Sequence, residues 1–189
     1  MDFNFPILKS PLKEHISIKD KLLSLIDHQL ADRIQKTNNP FKDSISKLDW
    51  SKNNDFERKW VKFILPYLEN NFKHQLRKVG LKGPTIKEIW FQQYLKKDIH
   101  CWHIHGSSFT GVYYLEFDET SPKTQVIEPM NKNKKSIKAK EGDVVIFPSV
   151  YIHRSPLVEC DKRKTIISFN FEAYEIDYDY LENLQKKYK

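Results

Sequence analysis

The spacing of apolar side chains changes once along this chain, at Gly83-Pro84, from near 3.6 residues to 2. Upstream, Ile18, Leu22, Leu25, Ile26 and Leu30 recur at helical intervals. They follow Ser17 and Asp20, a short form of the capping box, and predict a first helix reaching about Lys36. Thr37–Ser51 is largely polar, carries Asn-Asn-Pro near its start and reads as a loop. Asp55 stands as an N-cap before Phe56, Trp60, Phe63, Ile64 and Tyr67. The pattern continues through Leu68, Phe72 and Leu76 to Gly80, a residue suited to ending a helix. Pro66 has no N–H for the helical ladder, so a kink or restart is expected there. Ahead of both helices, Phe3–Leu8 reads as an edge segment.

Downstream, eight short segments alternate or run apolar between turn signals: Thr85–Leu95, His100–His105, Thr110–Phe117, Thr124–Glu128, Ser136–Lys140, Asp143–Phe147, Tyr151–Leu157 and Lys164–Phe171. Eight antiparallel strands in two facing sheets make a jelly roll, an architecture able to hold a small ligand between its sheets. The tail, Asp179–Lys189, returns to helical spacing at Leu181, Leu184 and Tyr188. The expected organisation is one domain, mainly β with N-terminal helices. Residues 1–82 pack as a helical portion on a jelly-roll core at 83–173, and 174–189 form a tail helix.

Composition narrows the class. A chain of 189 residues, 39% apolar and 13% aromatic, can bury one substantial core. The formal net charge of +7 comes from mixed signs, so it speaks first for solubility and only weakly for a nucleic-acid footprint. Cys101 and Cys160 have neither CxxC spacing nor a disulfide framework, which points to the reducing cytosol. The N-terminus lacks the order of a signal peptide, and no apolar run approaches the ~18 residues of a membrane span.

The chemistry gathers at Trp102–Phe117, WHIHGSSFTGVYYLEF. His103 and His105 are two apart on a strand, so their imidazoles share a face, whereas His100, offset by three, is expected on the opposite one. His153 arrives about 48 residues after His105 in a second strand segment. These three histidines are the candidate metal ligands. The set parallels the facial triad of non-haem iron sites with His105 in the place of the usual carboxylate, and three neutral imidazoles also suit Zn, Cu or Ni. Past His153 comes the basic cluster Lys162-Arg163-Lys164, placed to bind a dicarboxylate's far carboxyl group from a neighbouring strand. Strand phase alone leaves open whether Arg163 or Lys164 points inward.

Taken in order, the blocks WFQQYLKKDIHCWHIHGSSFTGVYYLEF, EGDVVIFPSVYIHRSP and RKTIISFNF resemble the 2-oxoglutarate- and Fe(II)-dependent oxygenase superfamily. Within it they are similar to small oxygenases carrying HxH, SGVYYL, GDLVLFPS, a distal His and SFN. The resemblance spans roughly Ile86–Phe171. It implies a double-stranded β-helix, Fe(II) as metal and 2-oxoglutarate as co-substrate. It further implies decarboxylation of 2-oxoglutarate to succinate and CO2, ending in hydroxylation of a second substrate. Under it His103 and His153 fall on iron-binding histidines and His105 on the position of the acid. Lys164 falls on the family's arginine, with Arg163 one residue earlier. Tyr94, Tyr114 and Asn170 become candidate co-substrate-binding side chains.

Two rivals share the same barrel. A cupin-type metal enzyme would not use 2-oxoglutarate; HIH opens a cupin-like motif, but no Glu follows within three or four residues of His105. A jelly-roll binding module with a degenerate site is the non-enzymatic reading. The substrate is not legible. Lys132, Lys134, Lys135, Lys138 and Lys140 could steer an acidic partner such as nucleic acid. Without interleaved aromatics they read better as a solvated hairpin.

Overall fold

The computed structural model describes residues 6–35, 42–130 and 132–187. Strands β1 (Leu8–Pro11), β2 (Asp32–Ile34), β3 (Ile45–Leu48), β4 (Leu81–Tyr94), β6 (Phe109–Glu116), β9 (Asp143–Pro148) and β11 (Lys164–Ile176) build one sheet. Its order is β1-β9-β6-β11-β4-β3-β2. Strands β5 (His100–His103), β7 (Gln125–Ile127), β8 (Lys134–Ser136) and β10 (Ile152–Ser155) build a second, ordered β5-β10-β7-β8. All the pairings are antiparallel.

Both faces of the larger sheet are buried, and strand alternation sorts its side chains into two cores. Tyr113 and Leu115 of β6, Val144 and Ile146 of β9, and Ile167, Phe169 and Phe171 of β11 face outward. There they meet helices α1 (His15–Asp27) and α2 (Lys59–Arg77) through Ile18, Leu22, Ile26, Trp60, Ile64, Leu68 and Phe72. Their neighbours one residue along, Val112, Tyr114, Val145, Phe147 and Ile166, face inward toward Val126 of the smaller sheet. This double burial is why the strands read as nearly continuous apolar runs.

The helices depart from expectation in instructive ways. α1 ends at Asp27, Leu30 is exposed, and Asp32–Ile34 is an edge strand. The helix begins earlier too: Ser17 lies inside it and returns its hydroxyl to the Glu14 carbonyl at 2.8 Å, so it caps nothing. Asp55 accepts the Glu57 N–H in a local turn, and α2 starts four residues later. Pro66 lies within α2, which runs unbroken for 19 residues. A helix-interior proline costs about 3 kcal/mol. Burying Trp60, Val61, Ile64, Leu68, Phe72 and Leu76 returns ~1.5–3 kcal/mol for each, so packing wins.

The segment expected as a loop at 37–51 carries β3 and a 3₁₀ turn, Trp50–Lys52; the part at 37–41 lies outside the described residues. Buried Asp49 holds that turn. It accepts from Arg58 at 2.5 Å, from Trp60 Nε1 at 3.0 Å and from the Phe91 N–H at 2.9 Å. Of the eight predicted strands, the fifth lies earlier than expected, at Lys134–Ser136, and the first and last are longer. The edge segment is Leu8–Pro11, pairing with β9, and residues 3–5 lie outside the described chain. Helix α3 (Tyr178–Lys187) closes the chain. None of the described helices is long and apolar enough to cross a membrane.

Candidate metal centre and co-substrate chamber

Local strand geometry assembles the histidines. β5 and β10 are neighbours, with His103 directly opposite His153. His105 sits two residues beyond the end of β5, and its backbone N–H is held by the Ser149 carbonyl at 3.2 Å. Each of His103, His105 and His153 offers a nitrogen, and these three atoms lie within 4.8 Å of one another. His103 donates from Nδ1 to the Cys101 carbonyl at 2.7 Å, and His153 from Nδ1 to the Tyr151 carbonyl at 2.9 Å. A carbonyl can only accept, so each Nδ1 carries the proton and each Nε2 keeps a lone pair, the tautomer a metal ligand requires. Around His105 the arrangement differs: its Nδ1 is 3.3 Å from the Asn170 amide nitrogen, which also donates to Glu88.

Burial keeps the cluster uncharged. Desolvation lowers His103, takes His105 down to about 4 and His153 to about 3, with neighbouring histidines adding to the last two shifts. The free Nε2 lone pairs of His103 and His153, with a neutral His105 beside them, make a donor set that fits a divalent transition metal, Fe(II) included.

His100 is not where strand alternation puts it. Ser155 pairs with His100 while His153 pairs with His103, so β5 spends three steps against two on β10. That bulge returns His100 to the same side as His103. Their rings stack at 3.9 Å between centroids and 20° between planes. The Gln92 amide stands 3.3 Å from His100 Nδ1, and Asp43 Oδ2 is 3.7 Å from its Nε2. Its low weight in the sequence followed from assuming an unbulged strand.

The two basic candidates separate cleanly. Arg163 points out of the barrel, donating to Glu116 at 2.7 Å and to Asp27 at 3.1 Å. Lys164 points in and is fully buried. It comes from the facing sheet, not from a strand beside β10 as expected, and spans the gap between sheets. Its ammonium donates to Ser155 Oγ at 2.9 Å and to the Pro122 carbonyl at 3.0 Å. It also lies 5.1 Å from the centroid of the Tyr94 ring. Burial lowers its pKa to about 7.

Tyr94, opposite Lys164 in the sheet register, is fully buried, and burial raises its pKa well above the usual phenol value. Ser155 offsets part of that rise, but among the described residues no group closes a hydrogen bond of ordinary geometry to the Tyr94 hydroxyl. Tyr114 is committed elsewhere, donating to Thr124 Oγ1 at 2.7 Å. Gln92, Ser155 and Ser168 also line the inner cavity, and sequence alone gave no signal for them. That cavity is narrow, about 350 Å³ of non-atom space, and runs from the three histidines past Tyr94 to Ser155. A second, outer cleft of about 650 Å³ opens on the other side of the histidines.

Two facing antiparallel sheets make this a double-stranded β-helix, with a three-histidine cluster inside that could hold a metal ion. The fold is shared with a 2OG-Fe(II) oxygenase-family oxidoreductase from Burkholderia pseudomallei, 12% identical, with a TM-score of 0.63 over 80% of this chain and 77% of that one. The viral collagen prolyl hydroxylase of Paramecium Bursaria Chlorella virus-1, in its 2OG complex, is 16% identical (TM-score 0.59; 87% and 94% covered). HygX from Streptomyces hygroscopicus, solved with nickel and 2-oxoglutarate bound, is 9% identical (TM-score 0.59; 87% and 82% covered). Among curated proteins none matches in sequence. Residues 88–170 match the family model described as "Putative 2OG-Fe(II) oxygenase". That matched span contains His103, His105 and His153 as well as Lys164.

Proposed function

We propose that this protein hydroxylates a substrate at the expense of 2-oxoglutarate, with His103, His105 and His153 holding the iron and Lys164 anchoring the co-substrate. The observation that carries the reading is Lys164: a buried ammonium with no ion-pair partner among the described residues, in the same barrel interior as three neutral histidines. An uncompensated buried charge is costly, and a dicarboxylate's far carboxylate would satisfy it. When bound, iron and 2-oxoglutarate supply oxygen-activating chemistry that yields succinate and CO2 and hydroxylates a C–H bond.

The remaining roles fall to the chain itself. His103 and His153 are held in the ligating tautomer by the Cys101 and Tyr151 carbonyls. Lys164 trades Ser155 Oγ or the Pro122 carbonyl for a carboxylate oxygen, and the unpartnered Tyr94 hydroxyl is free to donate beside it. Ile166 and Ser168 line the same chamber. Asn170 acts through His105 rather than on the co-substrate, and Tyr114 supports Thr124 in the wall. Two cysteines without a disulfide support a reducing, cytosolic setting.

The test is anaerobic addition of Fe(II) and 2-oxoglutarate. A weak visible charge-transfer band, followed by succinate on admission of oxygen, is expected. Metal binding without the band would favour a metal enzyme that does not use 2-oxoglutarate. Absence of metal binding would leave a binding module.

A further inference from the structure

The outer cleft has a chemistry of its own. Its walls are apolar: Ile34, Ile45, Leu48 and Ile104, with Trp50 at the rim and Trp90 at the base. Trp50 is 56% exposed and Ile104 58% exposed, an unusual outlay of large apolar surface beside a polar centre. One acidic side chain, Asp43, stands in this wall, and among the described residues no lysine or arginine joins it. That is notable in a chain with 32 lysines and arginines against 25 acids. Asp43 is anchored: its Oδ1 accepts the Cys101 N–H at 2.7 Å, while Oδ2 stays 3.7 Å from His100 Nε2, beyond hydrogen-bond reach.

A fixed carboxylate within apolar and indole walls is the complement of a cation on an apolar stem. The carboxylate supplies a charge-assisted hydrogen bond, an indole face attracts the same charge, and the aliphatic walls bury the stem. An anionic substrate would meet Asp43 with like charge, and a wholly apolar one would leave its carboxylate desolvated without return. We propose that the outer cleft binds a substrate with an apolar body and a cationic amine, the amine held by Asp43 against Trp50 and the body lying toward Trp90 and the histidines. The assignment deepens the oxygenase reading by naming the class of its second substrate, and it rests on that reading. The shared chemistry belongs equally to a free alkylamine and to a lysine side chain.

The test measures binding alone, to the full-length protein without added iron, so its outcome is independent of turnover. Hexylammonium, hexan-1-ol and hexanoate are titrated while tryptophan fluorescence is followed, beside acetyl-Gly-Gly-Lys-Gly-Gly-amide as the protein-borne form of the amine. Hexylammonium or the peptide should bind roughly tenfold or more tightly than hexanol, with hexanoate weakest. Whichever of the two amines binds better identifies the source. Asp43→Asn keeps an oxygen for the Cys101 N–H and should erase the preference for the amine over the alcohol. Trp50→Ala, at an exposed rim position, should weaken both. Equal binding of amine and alcohol, no saturable amine binding, or an amine preference surviving in Asp43→Asn overturns the proposal. If Asp43→Asn fails to fold by circular dichroism, the wild-type amine-to-alcohol ratio and Trp50→Ala decide it. A charge-transfer band with Fe(II) and 2-oxoglutarate in the same preparation would leave the oxygenase reading standing beside a failed amine assignment.

Discussion

Lys164 and Ser155 meet across the gap between the two sheets, ammonium to hydroxyl at 2.9 Å, and among the described residues no carboxylate shares the contact. A lysine in this position is unfavourable for folding and useful for binding. Lys164→Met should therefore stabilise the metal-free protein, seen as a raised Tm, while raising the KM for 2-oxoglutarate on the order of 10- to 100-fold, the value of a hydrogen bond to a charged group. Arg163→Ala removes a half-exposed pair with Glu116 and Asp27. It should cost about 1 kcal/mol or less and leave that KM within roughly twofold. If the two variants exchange these phenotypes, the anchor is misassigned.

The same lysine gives a pH dependence with a definite sign. Its pKa is lowered from 10.5 to about 7 in the folded chain, so between about pH 7 and 10.5 the unfolded state binds the extra proton. Stability of the metal-free protein should rise with pH across that window, by up to about 1.4 kcal/mol per unit. Denaturant titrations at several pH values would show it, and the slope should be reduced in Lys164→Met, leaving the share of Lys47, whose pKa burial also lowers. Affinity for 2-oxoglutarate should move the other way, falling above about pH 7 as the ammonium is lost.

At the acidic end the histidines dominate. His105 and His153, depressed to about 4 and about 3 from 6.5, stay neutral in the folded chain while unfolded imidazoles take up protons. The metal-free protein should lose stability as pH falls from about 6.5 toward 4, and metal binding should weaken over the same range. His153→Gln should blunt the loss; an unchanged acid limb in thermal melts would count against buried neutral histidines.

For the ligands, His103→Ala or His153→Ala should abolish iron-dependent succinate formation, and full turnover in His153→Ala would refute the site. His105→Asp restores the carboxylate usual at that position and should retain succinate formation.

His100 lies flat on His103, so its removal should loosen a ligand without deleting one. His100→Ala is expected to weaken Fe(II) affinity about tenfold, within the range for supporting shells of metal ligands. His100→Phe preserves an aromatic stack and should recover most of that loss. Equal affinities by calorimetric titration would show the stack to be incidental.

What sequence determined, it determined through local periodicity and short-range spacing. Segments alternating with period 2 between turn signals sort onto two faces whatever their partners, so seven of the eight strands were legible in place, while the fifth lies at Lys134–Ser136 instead of Ser136–Lys140. So was the close approach of His103, His105 and His153, although His105 lies past the end of β5 rather than on its face. Where the reading failed, a distant partner had overridden a local rule. Pro66 stays helical because the side chains around it are buried against the sheet, and β2 and β3 exist only as pairings with each other and with β4. The fate of His100 turned on a single bulge against Ser155. Between Arg163 and Lys164 the alternation guaranteed opposite faces. Only the closing of the second sheet over Lys164, with Ser155 arriving from β10 and Pro122 from a loop, decided which face was the inside. Asp43 reached the wall of the outer cleft in the same way, its carboxylate accepting the Cys101 N–H across 58 residues, a contact that no local pattern encodes.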